Sequence, residues 1–215
     1  MNIICSFMKN AMLAGFVSKR ARIRQFIGLS YSILFRKQIN KAKIGLLMIQ
    51  VYTGNGKGKT TAAFGLALRA AGAGMKTFIA QFVKGMNYSE IEAVKHYLPL
   101  ITVRQYGLDC FIVKEPTQKD ITAARNGLNE VASVITRNEY RIIVLDEACI
   151  AIYYKLFTAE ELIQVIQSRA PETEIIITGR YAPPLLIEIA DLVTEMREIK
   201  HYYTAGVHAR KGFEF

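Results

Sequence analysis

Several features are missing from this sequence of 215 residues, and each absence excludes a class of protein. The chain has no tryptophan and only three cysteines, Cys5, Cys110 and Cys149, which are widely spaced and form no C-x-x-C pair. We therefore expect neither a disulfide framework nor a structural zinc site, and a cytoplasmic location is predicted. No apolar run approaches the roughly 18 residues of a transmembrane helix, so stable membrane insertion is not expected.

Acidic side chains are also missing from residues 1–47, which carry nine lysines and arginines. The rest of the chain carries 19 basic and 18 acidic residues, so the net charge of +10 belongs almost entirely to this segment. A basic face that binds nucleic acid is therefore not supported for the remaining residues. We interpret residues 1–45 as a basic, solvated or poorly ordered extension, with Met48 as an alternative start. An organelle transit sequence and a membrane-surface helix are the competing interpretations.

From Leu46 onwards, short apolar runs alternate with amphipathic or alanine-rich segments. The runs predict strands over residues 46–52, 76–83, 101–106, 140–145, 174–178 and 192–195. The segments predict helices over residues 59–71, 89–96, 117–138 and 159–168, and a short helix from Pro183-Pro184 to Ala190. This alternation predicts one α/β domain over residues 46–215, with a doubly wound, mostly parallel β-sheet and helices on both faces.

The segment VYTGNGKGKTT, residues 51–61, joins the first predicted strand to the first predicted helix. In that position, the N–H groups of a glycine-rich loop and the positive end of the helix surround a phosphate group. Lys59 would place its ammonium on the phosphates, and the Thr60 hydroxyl would contact a bound magnesium ion. The predicted nucleotide-binding residues are Gly54, Asn55, Gly56, Lys57, Gly58, Lys59, Thr60 and Thr61. The fold is thus expected to be P-loop NTPase-like.

One position of this loop departs from the pattern G-x-x-x-x-G-K-[ST]. Thr53 stands where the first glycine is expected, and Gly54 and Gly56 lie in the middle of the loop instead. We therefore expect the polyphosphate to lie differently from its usual position in ATPases. A glycine-rich turn without a ligand is the alternative interpretation.

Two acidic residues, Asp146 and Glu147, follow the apolar run YRIIVL about 85 residues after the loop. Behind a phosphate-binding loop, an acid at the end of a buried strand supplies a carboxylate to Mg²⁺ or to a water that the ion holds. Neighbouring residues at a strand end face different ways, so only one of the two is expected to point towards the metal. The sequence alone leaves that choice open.

Several motifs occur in one order along the chain and together resemble a known family. They are TGNGKGKTT at 53–61, QFVKG at 81–85, VLDE at 144–147, ITGR at 177–180, ADLVTEM at 190–196, and the tail that contains ARKGFEF at 209–215. This combination is similar to the P-loop-type cob(I)alamin / cob(I)yrinic acid a,c-diamide adenosyltransferases. The doubled-glycine loop that begins with threonine is the form found in that family.

The resemblance implies an enzyme that transfers the 5′-deoxyadenosyl group of ATP to the Co(I) centre of a corrinoid and releases triphosphate. Lys59, Thr60 and Glu147 would be the catalytic residues. Mg²⁺ or Mn²⁺ would be held by Thr60 and Glu147, with Asp146 as the alternative ligand. The ATP would lie in the loop with reversed polarity. The family also implies a homodimer, and a reductase or reduced flavoprotein that supplies electrons to cobalt.

Four further assignments depend on this resemblance, on position or on residue type. Phe111 is the candidate aromatic floor for the corrinoid, where many family members have a tryptophan; a core phenylalanine is the alternative. Arg180 follows the carboxyl end of a strand, where open α/β sheets place ligand contacts, so it is a candidate ATP-binding residue. Cys110 is interpreted as a buried small residue. His201 and His208 are expected to orient the C-terminal tail.

Two other functions compete with adenosyl transfer. A phosphotransferase or ATPase would use the same loop to cleave ATP at the γ-phosphate, and it would need a general base or an arginine finger. A nucleotide-binding module without catalysis would not turn ATP over at all. The product formed from ATP distinguishes the three, because it would be triphosphate, ADP or nothing.

Overall fold

The structure of the protein is a computed structural model that describes residues 48–108, 112 and 115–214. The predicted extension over residues 1–45 lies outside the described residues, as do Cys110 and Phe111 with their predicted roles. None of the described helices is long and apolar enough to cross a membrane.

A single six-stranded parallel β-sheet forms the centre of the domain, in the order β3-β2-β4-β5-β1-β6. Its strands are β1 (Ile49–Thr53), β2 (Thr77–Phe82), β3 (Ile101–Tyr106), β4 (Ile142–Asp146), β5 (Glu174–Thr178) and β6 (Leu192–Glu195). The predicted bounds of β3, β5 and β6 are confirmed. The predicted first strand began too early, since Met48 precedes β1, and β4 begins at Ile142 because Tyr140 and Arg141 form no ladder.

In the part of the chain that the structure describes, six α-helices and one short 3₁₀ helix accompany the sheet. They are α1 (Lys59–Gly72), α2 (Ser89–Tyr97), α3 (Gln118–Arg137), α4 (Ala148–Tyr153), α5 (Ala159–Gln167), α6 (Pro184–Ile189) and the 3₁₀ helix Tyr202–Ala205. The predicted helices are all present, with ends that differ by at most one residue. Helix α4 was not predicted; it follows Glu147 directly and has no side-chain cap that could have marked its start.

The two faces of the sheet carry separate apolar cores because strand side chains alternate between faces. Ile143 and Leu145 of β4 pack with the core on the side of α3 and α5. Ile142 and Val144 pack on the opposite side with Ala63, Ala67 and Ala70 of α1. All five residues of β4 are buried, as expected for a central strand of a parallel sheet covered on both faces. The predicted fold class is therefore confirmed.

The alternation also decides what lies beneath the N-terminus of α1. Residues Gln81, Asp146 and Thr178 continue the rows of Ile79, Val144 and Ile176, which face α1. They are polar, yet each is completely buried at the carboxyl end of its strand. A buried polar layer therefore separates the apolar core from the phosphate-binding loop, residues 53–61.

Candidate active site

A cleft of about 840 Å³ lies beside the phosphate-binding loop, at the carboxyl ends of the strands. Residues 55–61 form one side of it. Glu147, Ile150 of α4 and Tyr154, which directly follows α4, form another. The remaining walls come from the segment after β2, residues 83–90, and from Arg180-Tyr181 after β5. The C-terminal tail, residues 200–214, also contributes. Ligands bind open α/β sheets at this edge, so the position agrees with a nucleotide site.

The phosphate-binding loop is held from behind by the segment after β6. The Gly56 N–H donates a hydrogen bond of 2.6 Å to the carbonyl of Met196. A Cβ on Gly56 would lie 2.7 Å from that same oxygen, so no larger residue fits this approach. The doubled glycines therefore serve contact with Met196, and the Gly56 N–H is turned away from the cleft.

Lys59 closes the loop from the inside. Its ammonium donates to the carbonyls of Gly54 at 2.7 Å and Gly56 at 2.8 Å. Only 7% of Lys59 is exposed, and burial lowers the pKa of its ammonium although Glu147 opposes the shift. The predicted phosphate-binding cation is thus at the cleft, paired with carbonyl groups that an anionic phosphate can replace as partner.

Asp146 lies below the cleft and is saturated with hydrogen bonds. Its Oδ1 accepts from Thr178 Oγ1 at 2.7 Å and from Thr60 Oγ1 at 2.9 Å. Its Oδ2 accepts from Lys84 Nζ at 2.8 Å and from Gln81 Nε2 at 3.1 Å. A carboxylate offers about four lone-pair sites, so all of them are used. Burial alone would raise the pKa of Asp146, but Lys84 and the hydrogen bonds lower it overall.

Glu147 differs from Asp146 in its exposure to the cleft, in its hydrogen bonds and in the direction of its pKa shift. It lines the cleft and is only partly buried. Its φ of 57° turns the chain at the strand end, and its N–H donates to Thr178 Oγ1 at 3.0 Å. Burial and the neighbouring Asp146 raise the pKa of its carboxyl group, against the attraction of Lys84, Lys59 and Arg180. The geometry therefore favours Glu147 as the carboxylate that faces the cleft.

The side chains present fit a magnesium ion bound together with nucleotide. Mg²⁺ prefers oxygen ligands and is usually bound through one or two carboxylates plus substrate phosphates. The Thr60 hydroxyl donates to Asp146 and accepts from Lys84, which leaves it one further lone pair. Thr60 and the Glu147 carboxylate are therefore suitable ligands. In the described part of the chain, no cluster of three or more His, Cys, Asp or Glu could hold a metal.

An apolar and aromatic wall lies on the side of the cleft formed by α4. Ile112, Ile150 and Tyr154 line the cleft, and the Tyr154 hydroxyl donates to the carbonyl of Ile112 at 3.3 Å. The exposed Tyr181 lines it beside Arg180, and its ring lies 4.5 Å from that of Tyr153, centre to centre. This wall offers flat apolar surface next to the charged loop.

The C-terminal tail reaches the outer side of the loop. Lys57 Nζ donates to the Tyr202 hydroxyl at 2.8 Å, the Phe213 carbonyl at 2.8 Å and the Glu214 carboxylate at 2.7 Å. These hydrogen bonds lower the pKa of Glu214 and raise that of Lys57. His201 lines the cleft, whereas His208 is exposed elsewhere on the tail.

Most of the predicted site residues lie around the cleft. Those that line it are Asn55, Gly56, Lys57, Gly58, Lys59, Thr60, Thr61, Glu147 and Arg180. Gly54 lies on the side of the loop that contacts Met196, away from the cleft, and Asp146 lies beneath the cleft. Sequence reasoning assigned no role to Lys84, Tyr181 or Glu214. Lys84 follows the carboxyl end of a predicted strand, where open α/β sheets bind ligands, and this position could have marked it as a candidate site residue.

Comparison of the sequence with known proteins shows which family the chain belongs to. The model of the family described as ATP:corrinoid adenosyltransferase BtuR/CobO/CobP matches residues 46–215. A corrinoid adenosyltransferase of Pseudomonas aeruginosa is 36% identical over 169 residues, covering 78% of this chain and 83% of the relative. That of Escherichia coli K12 is 33% identical over 174 residues, covering 78% and 85%. Corrinoid adenosyltransferase CobA of Salmonella typhimurium is 34% identical over 174 residues, with the same coverage.

Proposed function

This chain belongs to the family of ATP:corrinoid adenosyltransferases, and on that premise we propose how its cleft carries out the reaction. The protein is a corrinoid adenosyltransferase, an enzyme that moves the adenosyl group of ATP to a corrinoid. The family and the activity expected from the sequence are thereby confirmed. The roles of individual residues, the metal, the partners and the location are proposals.

The proposed reaction is a displacement at the ribose C5′ of ATP. Co(I) of the corrinoid substrate forms the Co–C5′ bond with its own electron pair. The C5′–O bond breaks, and its electron pair leaves with the triphosphate. Co(I) needs no deprotonation before it attacks, so the protein needs no general base for this step. Its tasks are to position the two substrates, exclude water and hold the departing anion.

The charged side of the cleft is proposed to hold the triphosphate. Lys59 would exchange its two carbonyl partners for phosphate oxygens, and the exposed Arg180 would contact the phosphates or the nucleoside from the other side. The N–H groups at the start of α1 add the positive end of that helix. Thr60 and Glu147 would hold Mg²⁺ or Mn²⁺ there. When bound, the ion supplies charge neutralisation for the leaving triphosphate.

The apolar wall is proposed to receive the corrinoid. Ile112, Ile150 and Tyr154 form it, and all three also pack against the core on that side of the sheet. Phe111 precedes Ile112 in sequence, and its predicted role as the aromatic floor remains part of this proposal. The observation that carries the function is this juxtaposition of a phosphate-binding loop and an apolar wall in one cleft.

We also propose the setting in which the enzyme works. Co(I) forms only when an electron donor reduces the corrinoid, so a reductase or a reduced flavoprotein is the expected partner. The resemblance to the family predicts a homodimer. A cytoplasmic location is proposed from the small number of widely spaced cysteines.

The experiment that tests the reaction compares the products of ATP with and without corrinoid. Under anaerobic reduction with MgATP and a Co(I) corrinoid, the protein should form a light-sensitive adenosyl corrinoid and an equal amount of triphosphate. ATP incubated without corrinoid should remain intact. Release of ADP and phosphate at the same rate in both mixtures would instead indicate an ordinary ATPase.

A further inference from the structure

Lys84 is a buried cation that none of the proposed steps uses. It lies just after β2, and only 8% of the residue is exposed, although it borders the cleft. Its ammonium donates to Asp146 Oδ2 at 2.8 Å and to Thr60 Oγ1 at 2.9 Å. It also lies 5.8 Å from the centre of the Tyr88 ring. In P-loop nucleotide hydrolases, a loop Ser or Thr and a strand-end Asp hold Mg²⁺. Here a lysine contacts both of those groups.

The backbone around Lys84 is built to keep it in place. Val83 has a φ of 51°, a conformation that is a true outlier for a β-branched residue. Such strain persists only where the surroundings fix it, and it is common at functional sites. The Gly107 N–H donates to the Lys84 carbonyl at 3.2 Å. A Cβ on Gly107 would lie 2.3 Å from the backbone nitrogen of Lys84. The chain after β3 therefore packs directly against the backbone at Lys84.

A simple ion pair in the core would explain only part of this arrangement. It would account for the contact between Lys84 and Asp146, because a buried charge needs a partner. It would not require a second contact with the loop residue Thr60, a position beside the cleft, or a strained valine. These features instead suit a cation that organises the loop residue and the strand-end acid together.

We propose that Lys84 is a positioning residue whose ammonium takes the place between Thr60 and Asp146 that a divalent ion would otherwise occupy. Asp146 is thereby kept as a fixed hydrogen-bond acceptor. Glu147 is left as the carboxylate that meets the metal of the bound nucleotide. Only this last consequence rests on the proposed function; the exclusion of a metal by Lys84 is independent of the reaction.

The test measures binding of Mn²⁺ alone, without ATP or corrinoid, from the free Mn²⁺ signal in electron paramagnetic resonance. Lys84→Met removes the ammonium and keeps most of the side-chain volume, so Asp146 Oδ2 and Thr60 Oγ1 lose their cationic donor and can take an ion as partner instead. Removing a positive charge a few ångströms from a divalent cation relieves a repulsion larger than the energy of a tenfold change in affinity, even at the effective dielectric constant of a protein. We expect Lys84→Met to bind Mn²⁺ at least about tenfold more tightly than the unaltered protein.

Two further variants test whether a gain in Mn²⁺ affinity comes from the Asp146 carboxylate. In the double variant Lys84→Met/Asp146→Asn, the gained Mn²⁺ affinity should disappear, because the carboxylate is gone. If Lys84→Met does not fold, Lys84→Gln replaces it, since its amide still donates to Asp146 but carries no charge. Equal Mn²⁺ affinity in the unaltered and charge-neutral proteins would overturn the proposal, as would a gain that persists in the double variant. Because no substrate is present, failure here is separate from failure of the adenosyl-transfer assay.

Discussion

Two lysines near the phosphate-binding loop make similar contacts in very different surroundings. Lys84 pairs with Asp146 beneath the loop, where their side chains are 9% and 0% exposed. Lys57 pairs with Glu214 of the tail on the outer side, where the Lys57 side chain is 41% exposed. Breaking a buried pair leaves an uncompensated charge in the interior, whereas an exposed pair is replaced by water. The inner contact is therefore a fixed part of the fold, and the outer one is free to open.

The largest effect is expected from breaking the inner pair on one side only. Asp146→Ala leaves the Lys84 ammonium buried without its carboxylate and also removes the acceptor for Thr60, Gln81 and Thr178. The free energy of unfolding should fall by about 3–5 kcal/mol, measured by chemical denaturation. The outer counterpart, Glu214→Ala, is the matched control and should leave the free energy of unfolding almost unchanged. Equal losses in the two variants would contradict the comparison.

The next effect concerns catalysis at the loop rather than stability. Lys59→Ala removes the ammonium proposed to bind the leaving triphosphate, and loss of one such group typically lowers turnover by about 10²- to 10³-fold. Adenosyl transfer measured under saturating corrinoid should show this loss with only a small change in thermal midpoint. Lys57→Ala, which alters the exposed lysine of the same loop, should have a clearly smaller effect. Wild-type turnover in Lys59→Ala would exclude this loop as the ATP site.

A third prediction follows from the pKa directions of the inner pair. The pKa of Asp146 is lowered in the folded protein, so its contribution to stability is present above the unfolded value of about 3.9 and is lost as the pH falls further. The pKa of Lys84 is raised, so its contribution is present below about 10.4 and is lost as the pH rises through the folded value. The contributions of Asp146 and Lys84 themselves to the stability difference between the unaltered protein and Lys84→Met/Asp146→Asn should be flat between about pH 5 and 9. A slope within that window would report Glu147, whose raised pKa depends on the same two charges.

Denaturant unfolding across this pH range provides the measurement. Below about pH 4 the difference between the two proteins should change progressively as Asp146 becomes protonated. A difference that stays constant down to pH 3 would show that the charge of Asp146 does not contribute to stability.

The smallest effect is expected at the outer contact. Glu214→Gln keeps the size of the side chain but removes the charge that holds Lys57 and Arg210. The tail should then open more often, so trypsin should cleave it faster at Arg210 and Lys211 while the thermal midpoint stays unchanged. The exposed Glu198→Gln is the control. An unchanged rate of cleavage in Glu214→Gln would mean that other contacts hold the tail.

The parts of the fold and of the site that could be predicted are those whose signal lies within a short stretch of sequence. The strands were predictable because central strands of a parallel sheet are apolar throughout, as Ile142–Leu145 and Ile175–Ile177 are. The phosphate-binding loop was predictable because its glycines, Lys59 and Thr60 occur within nine consecutive residues. Both signals are local in sequence.

Other parts depend on contacts that no local pattern records. Asp146 is occupied by Lys84, which directly follows a valine with a positive φ that this residue type rarely takes. The contact of Lys57 with Glu214 joins residues 157 positions apart. Helix α4 has only six residues, too few to show a helical period of apolar residues, and its N-cap Glu147 makes no side-chain capping hydrogen bond.

The most direct test of the account is a structure of the protein with MgATP bound. We predict that the magnesium ion lies about 2.1 Å from an oxygen of Glu147 and from Thr60 Oγ1. Asp146 should keep its contacts with Lys84, Gln81 and Thr178, and Lys59 should have left the carbonyls of Gly54 and Gly56 for the phosphates. A magnesium ion bonded directly to Asp146, with Lys84 displaced, would contradict the account.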